Sequence, residues 1–169
     1  MNEPVTLETV SIRTELRPGD MGSWIHMHGA IYSRECHFGI GFESYVARGL
    51  CEFYDTYNPV RSRVWSCEHG GRIIGSLLLL DRGEAAQLRY FLIDPAYRGI
   101  GLGSKLLGLY MDFLRGCGYQ GSYLWTVDIL PTAASLYRRF GFRLSEEKPN
   151  PDFFGRSLKE QRYDLVLSS

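Results

Sequence analysis

The sequence predicts one α/β domain, an α+β arrangement in which a mixed sheet carries helices on its faces. Segments of period two and segments with apolar residues every three or four positions follow one another in a fixed order: strand, two helices, three strands, helix, strand, helix, two strands. No linker, internal repeat or low-complexity run divides the chain. At 169 residues with 44% hydrophobic and 22% charged composition, it suffices for one buried core and is short for two ordinary domains. The domain is therefore expected to span residues 1–169, with 1–9 as a flexible extension.

Val10 to Arg17 alternates Val10, Ile12, Thr14 and Leu16 against polar neighbours, the period of a half-buried strand. Pro18-Gly19-Asp20 breaks it, and Asp20 is read as the amino-terminal cap of a helix running to about Arg34. Phe42, Val46, Leu50, Phe53 and Tyr57 mark a second helix, closed by Asn58-Pro59. Val64–Glu68 and Arg72–Leu80 form a hairpin about Gly70-Gly71. Ala85–Asp94 follows as a strand whose apolar run after Arg89 suggests cover on both faces. A third helix begins near Gly101, with Leu102, Leu106, Leu107, Tyr110 and Leu114 on one stripe and Gly116-Cys117-Gly118 as its stop. Tyr123–Val127 is a strand, and Pro131 opens a short helix through Phe140. Phe142–Glu146 and Gln161–Leu167 end the order as strands, with an excursion from Lys148 to Gly155 between them.

Nineteen basic and nineteen acidic residues cancel, so the chain lacks the net positive field that holds proteins on nucleic acid. Met1–Val10 carries Glu3 and Glu8 and no apolar run; it reads as neither signal peptide nor membrane anchor, and a cytoplasmic protein is expected. Cys36, Cys51, Cys67 and Cys117 form no CxxC pair and are read as buried free thiols. His26 and His28 are two apart in a helix, where side chains diverge, so no metal site is expected.

The chemistry is concentrated between Phe91 and Leu106, where an apolar strand passes through a glycine-rich turn into an amphipathic helix. The first amides of a helix have no intrahelical acceptor, and the helix dipole adds partial positive charge, so a diphosphate can sit there. Glycines let phosphate oxygens approach the backbone closely. Gly99, Gly101 and Ser104 also fall at offsets of a dinucleotide-binding turn. That reading is disfavoured, because the preceding strands look antiparallel and too little chain remains for alternating strand–helix units.

The segment DPAYRGIGLG, Asp94 to Gly103, resembles the signature of the GNAT N-acetyltransferase family, with Arg98, Gly101 and Gly103 on its fixed positions. A second segment, Ala133-Ala134-Ser135-Leu136-Tyr137 through Gly141-Phe142, is similar to the family's downstream motif. The likeness spans Val10 to Leu167. The first half and the QRYDL ending, Gln161 to Leu165, further resemble the acetyltransferase domain fused behind MarR-type winged-helix regulators, here without a winged helix.

This resemblance implies a mostly antiparallel sheet whose fourth and fifth strands splay apart to admit the pantetheine arm of acetyl-CoA. Leu92 and Ile93 would give it backbone contacts, and Arg98, Gly99, Ile100, Gly101, Leu102, Gly103 and Ser104 would hold its diphosphate, with the Arg98 side chain fixing the loop. Tyr137 matches the tyrosine that protonates the leaving thiolate, a role suited to a phenol protonated at neutral pH. Tyr32 and Trp125 are the candidate substrate contacts. The family often has Asn seven residues before the tyrosine; Leu130 stands there. No general base is evident, since the central strand offers Gln87 and Arg89; Glu35, Glu43 and Asp128 read better as solvated carboxylates. The implied function is acetyl transfer to a primary amine of a small molecule or peptide by a monomer or homodimer, without metal, nucleic acid or membrane. The alternatives are a noncatalytic acetyl-CoA-binding regulatory module and a protein-interaction domain.

Overall fold

A computed structural model describes residues 3–168. Its elements run β1 (Ser11–Arg13), α1 (Asp20–Cys36), α2 (Ile40–Asp55), β2 (Arg63–His69), β3 (Arg72–Arg82), β4 (Ala85–Ile93), α3 (Leu102–Gly116), β5 (Gly121–Val127), α4 (Pro131–Arg139), β6 (Arg143–Phe153) and β7 (Arg156–Val166). The strands form one seven-stranded sheet in the order β1-β2-β3-β4-β5-β7-β6. Every neighbouring pair is antiparallel except β4 and β5. Ahead of β1, Leu7–Thr9 make a 3-10 turn, and Val5 and Leu7 pack on the core.

Alternation along β3 shows how the layers are made. Leu77 and Leu79 join the cluster under α3 and α4, whereas Leu78 and Leu80 join the cluster under α1 and α2. Each helix pair thus covers its own sheet face, α3 contributing Leu102, Leu106, Leu107, Tyr110 and Leu114, and α2 contributing Phe42, Val46, Leu50 and Phe53.

A β-bulge in β4 changes which residues face which layer. Leu78 of β3 pairs with Arg89 and Ser76 pairs with Leu92, so Tyr90 and Phe91 stand opposite Leu77 alone. Tyr90 takes a positive φ of 55°, and its carbonyl accepts a 2.7 Å hydrogen bond from Ser76 Oγ. The extra residue reverses the inside–outside parity: Ala86 and Leu88 belong to the α3 side, Tyr90 and Leu92 to the α1 side. The apolar run after Arg89 is consequently not buried throughout, since Tyr90 and Leu92 are buried but Phe91 and Ile93 only half so.

The fourth and fifth strands splay. They pair in parallel only at Ala85–Gly121, Ala86–Ser122 and Gln87–Tyr123, and beyond Gln87 the two strands are not paired. The amides and carbonyls of β4 that would have met β5 are left facing a cleft. Gly121 anchors the other edge of β5, where any Cβ would collide with the Leu165 carbonyl of β7.

Several sequence expectations are corrected. Gly19, with φ 94°, holds the cap position of α1. Asp20 is the first helical residue instead; its carboxylate accepts from the Arg17 amide and from both terminal nitrogens of Arg13. β1 is three residues long and ends at Arg13, the strand residue whose guanidinium makes this ion pair. The excursion expected from Lys148 to Gly155 is instead the end of a long β6–β7 hairpin that turns at Phe154-Gly155, with φ of 51° and 92°. Pro149 is tolerated within a strand because β6 is the sheet edge, where a missing N–H leaves no ladder bond broken. The hairpin tip reaches the α1–α2 corner: Gly39 donates to the Phe154 carbonyl at 2.9 Å and Arg156 to the Cys36 carbonyl at 2.9 Å. Of the cysteines, Cys36 and Cys67 are buried, Cys117 half-buried and Cys51 exposed.

Candidate active site

The turn after β4 is shaped by its own backbone. Asp94 accepts from the Ala96 amide, Pro95–Tyr97 make a 3-10 turn, and Gly99 and Gly101 take φ of 80° and 88°. Left-handed geometry at these two positions costs a side-chain-bearing residue about 1–2 kcal/mol. The chain resumes its ladder only at Lys105, whose amide donates to Gly101; among the described residues no main-chain acceptor takes the amides of Gly99 to Ser104. The open donors and the amino terminus of α3 share one side of a cavity of about 550 Å³, and a Cβ at Gly99 or Gly101 would enter empty space. That is the donor set a diphosphate requires.

Leu92, Ile93, Arg98, Gly99, Gly101, Leu102, Gly103 and Ser104 all line this cavity. Ile100 does not; its side chain packs on the α3 core, which leaves only its amide toward the turn. Arg98 is already engaged: Nε donates to the Ile93 carbonyl at 3.1 Å, and the guanidinium grips Glu35 of α1 at 2.8 and 2.9 Å. It ties the loop to β4 and α1 rather than pointing free charge into the cleft.

A second cavity, about 450 Å³, lies on the far side of the splay between β4, β5 and the α1–α2 layer. Its walls are aromatic, with Tyr32, Phe42, Tyr90, Phe91, Trp125 and Phe153 among them. Tyr32 stacks on Phe38 with ring centroids 5.8 Å apart and an interplanar angle of 1°. Trp125 is 37% exposed and carries Lys148 Nζ over its ring at 4.8 Å.

The two cavities share Tyr32, Phe91, Leu130 and Ala133. Tyr137 stands at this junction on α4, 5% exposed, its ring 6.2 Å from Phe91. Among the described residues no hydrogen bond engages its hydroxyl, and burial, with Tyr32 beside it, pushes the phenol further above its ordinary range. Its proton is thus held at neutral pH. The three carboxylates considered from sequence are otherwise occupied: Glu35 pairs with Arg98, Asp128 accepts from the Lys159 amide, and Glu43 packs against Gly29.

His28, Arg89, Tyr90, Phe153 and Glu160 join the second cavity without having been singled out as site residues in the sequence. His28 is 4% exposed, while His26 lies on the outer face of α1. Nδ1 of His28 donates to the Trp24 carbonyl at 2.7 Å, and burial holds the ring down at about 4, so it is neutral with the Nε2 lone pair free. Tyr32, Phe38, Phe42 and Tyr45 of this wall lie close together in the chain, whereas nothing local announces that Phe153 or Glu160 will reach it. No group of three or more His, Cys, Asp or Glu that could hold a metal occurs among the described residues.

The sequence model of the acetyltransferase (GNAT) family matches residues 31–142, the stretch that holds the splay, the amide turn and Tyr137. The chain belongs to that family. Among curated relatives, the GNAT chain is 28% identical over 116 residues to N-acetyltransferase family 8 member 2 of Rattus norvegicus, covering 63% of this chain and 51% of that protein. It therefore spans about half the length of that relative. Of solved structures, a GNAT-family acetyltransferase from Staphylococcus aureus Mu50 aligns with a TM-score of 0.76 at 21% identity, over 94% of this chain and 99% of that one. A family member from Elizabethkingia anophelis with acetyl-CoA bound aligns with a TM-score of 0.64 at 13% identity, over 95% and 99%. At these identities the structures speak for the shared fold, and GNAT enzymes as a family use acetyl-CoA.

Proposed function

We propose that this protein transfers the acetyl group of acetyl-CoA to a primary amine of a small molecule or peptide, by direct attack within a ternary complex. The observation that carries the reading is the meeting of two cavities at Tyr32, Phe91, Leu130 and Ala133, with Tyr137 on the wall where they join. One cavity offers open amides, the other an aromatic chamber, and a reaction between two bound molecules needs both.

Acetyl-CoA, when bound, supplies an acyl group activated as a thioester. The amides of Gly99 to Ser104 hold its diphosphate, and the unpaired β4 backbone at Leu92 and Ile93 bonds the pantetheine arm. Arg98 keeps the turn in shape through Ile93 and Glu35. Tyr137 delivers its hydroxyl proton to the departing thiolate sulfur and is reprotonated by the proton that the attacking nitrogen sheds as the amide forms, a transfer worth on the order of 100-fold in rate. Tyr32 and Trp125 contact the acceptor. We place the reaction in the cytoplasm, in a monomer or homodimer; no helix of the described residues is long and apolar enough to cross a membrane.

A thiol-release assay over a panel of primary amines, at saturating acetyl-CoA, tests the proposal. Acceptor-dependent thiol release is expected. Intact coenzyme binding with no release from any amine would favour the reading drawn from regulator-fused domains, a module that binds acetyl-CoA without turnover.

A further inference from the structure

The charges around the aromatic cavity do not balance. Lys148 and Glu160 both line it and stand directly opposite each other in the β6–β7 ladder, opposite charges in register although no ion pair joins them. Arg89 of β4 has no acidic residue in register with it: its ladder partner on β3 is Leu78, β5 does not pair with it, and none of the ion pairs among the described residues includes it. Its guanidinium lies 4.6 Å from the Tyr90 ring centroid and 5.6 Å from that of Tyr45, and it donates to the Tyr45 hydroxyl at 3.3 Å. Two aromatic faces thus orient a half-buried cation beside a cavity whose lining carries two cations, Arg89 and Lys148, against the one carboxylate of Glu160.

A second polar group waits at the same place. The Tyr90 hydroxyl is buried and has no hydrogen-bond partner, on a side chain only 7% exposed. Gly49 of α2 makes room for both groups. A Cβ there would overlap the Tyr90 hydroxyl and lie 3.2 and 3.3 Å from two Arg89 nitrogens, so phenol and guanidinium converge on one point of the wall. The bulge that turns Tyr90 toward α2 is what brings these neighbours in sequence together on one side. Among the described residues only Nη2 of Arg89 makes a hydrogen bond, to Tyr45, so the rest of its planar N–H edge is a donor set for a carboxylate or phosphate, whereas the Tyr90 hydroxyl is shut against Gly49.

We propose that Arg89 anchors an oxyanion on the acceptor, so that the amine acetylated here carries a carboxylate or phosphate together with an aromatic body that fills the Tyr32–Phe42–Trp125 chamber. This rests on the acetyl-transfer reading and adds the class of substrate to it. The anion neutralises Arg89, the aromatic body stacks on the chamber walls, and the amine is left at the junction beside Tyr137.

Three ligands on one skeleton test it: phenylalanine, phenylalaninol phosphate and phenylalaninamide, titrated calorimetrically into the CoA-saturated protein. The expected result is that the carboxylate or the phosphate binds at least about tenfold tighter than the neutral amide; whichever of the two gains more identifies the anion. The preference should fall below twofold in Arg89→Met and survive in part in Arg89→Lys, which keeps the charge and loses the paired edge. Equal affinity for all three ligands, or a preference that persists in Arg89→Met, overturns the inference. The same ligands with acetyl-CoA in the thiol-release assay separate the two claims. An anion preference in binding without thiol release sinks acetyl transfer and leaves the anion site standing, whereas thiol release that ignores the anion does the reverse.

Discussion

On the side of the cleft proposed for the coenzyme the donors are consecutive main-chain amides of one turn, Gly99 to Ser104, whereas the side proposed for the acceptor is walled by side chains from α1, α2, β4, β5, β6 and β7. The first surface is a local property of the chain and asks only for glycine where φ is positive. The second depends on a β-bulge, on a long hairpin and on the approach of α2 at Gly49. A backbone-built surface tolerates side-chain replacement and resists change in chain geometry; a side-chain-built surface behaves the other way round.

The largest effect that would test this contrast lies in the acceptor wall, where a titratable group is buried neutral. His28 ordinarily titrates near 6.5 and is held down at about 4. Between those values the unfolded chain takes up a proton that the folded chain refuses. Stability is therefore full above about pH 6.5 and is lost as pH falls through the window, by on the order of 3 kcal/mol at pH 4. Urea unfolding at several pH values should show this slope, and His28→Gln should flatten it; an unchanged slope would mean the ring is not buried as described. Next, Tyr137→Phe is expected to lower kcat about 100-fold with CoA affinity unchanged within about twofold. A normal rate would remove Tyr137 from the chemistry. Gly101→Val forces a β-branched residue into φ of 88° and should weaken CoA about tenfold or more by calorimetry. Affinity equal to that of the parent would count against the amide cradle. The smallest effect belongs to Glu35→Gln, which leaves Arg98 its bond to Ile93 and breaks a pair whose side chains are about 40% exposed. A loss of no more than about threefold in CoA affinity is expected there, and a larger one would give Arg98 a direct part in holding the diphosphate.

The glycine turn was legible because its physics is local. Arg98, Gly101 and Gly103 stand at fixed spacing between an apolar strand and an amphipathic stripe, and the turn they announce is the turn observed. Helix positions followed the apolar stripes to within a few residues. The ends went astray where a distant partner intervened, as when Arg13 from β1 claimed the Asp20 carboxylate that a cap would have used. The stretch from Lys148 to Gly155 looked like a loop because Pro149, Asn150 and Gly155 are turn residues. It is strand because β6 lies at the sheet edge and pairs on one side only.

The acceptor wall could not be read in advance. Tyr32 and Trp125 stand out in the sequence as aromatic candidates, but nothing local marks Arg89, Phe153 or Glu160 as their neighbours. Which face of β4 a residue occupies depends on the bulge at Tyr90, and one added residue moves every later side chain to the opposite layer.

By itself the sequence determined the order of elements and the glycine-bearing turn with its open amides, since each follows from periodicity and backbone geometry within about fifteen residues of chain. The tertiary structure alone decided which side chains meet across the splay, that the β6–β7 tip closes over α1 and α2, and that Arg89 and Tyr90 converge at Gly49. Those are contacts between positions tens of residues apart, and their specificity resides in register and packing, to which no local pattern of residues is sensitive.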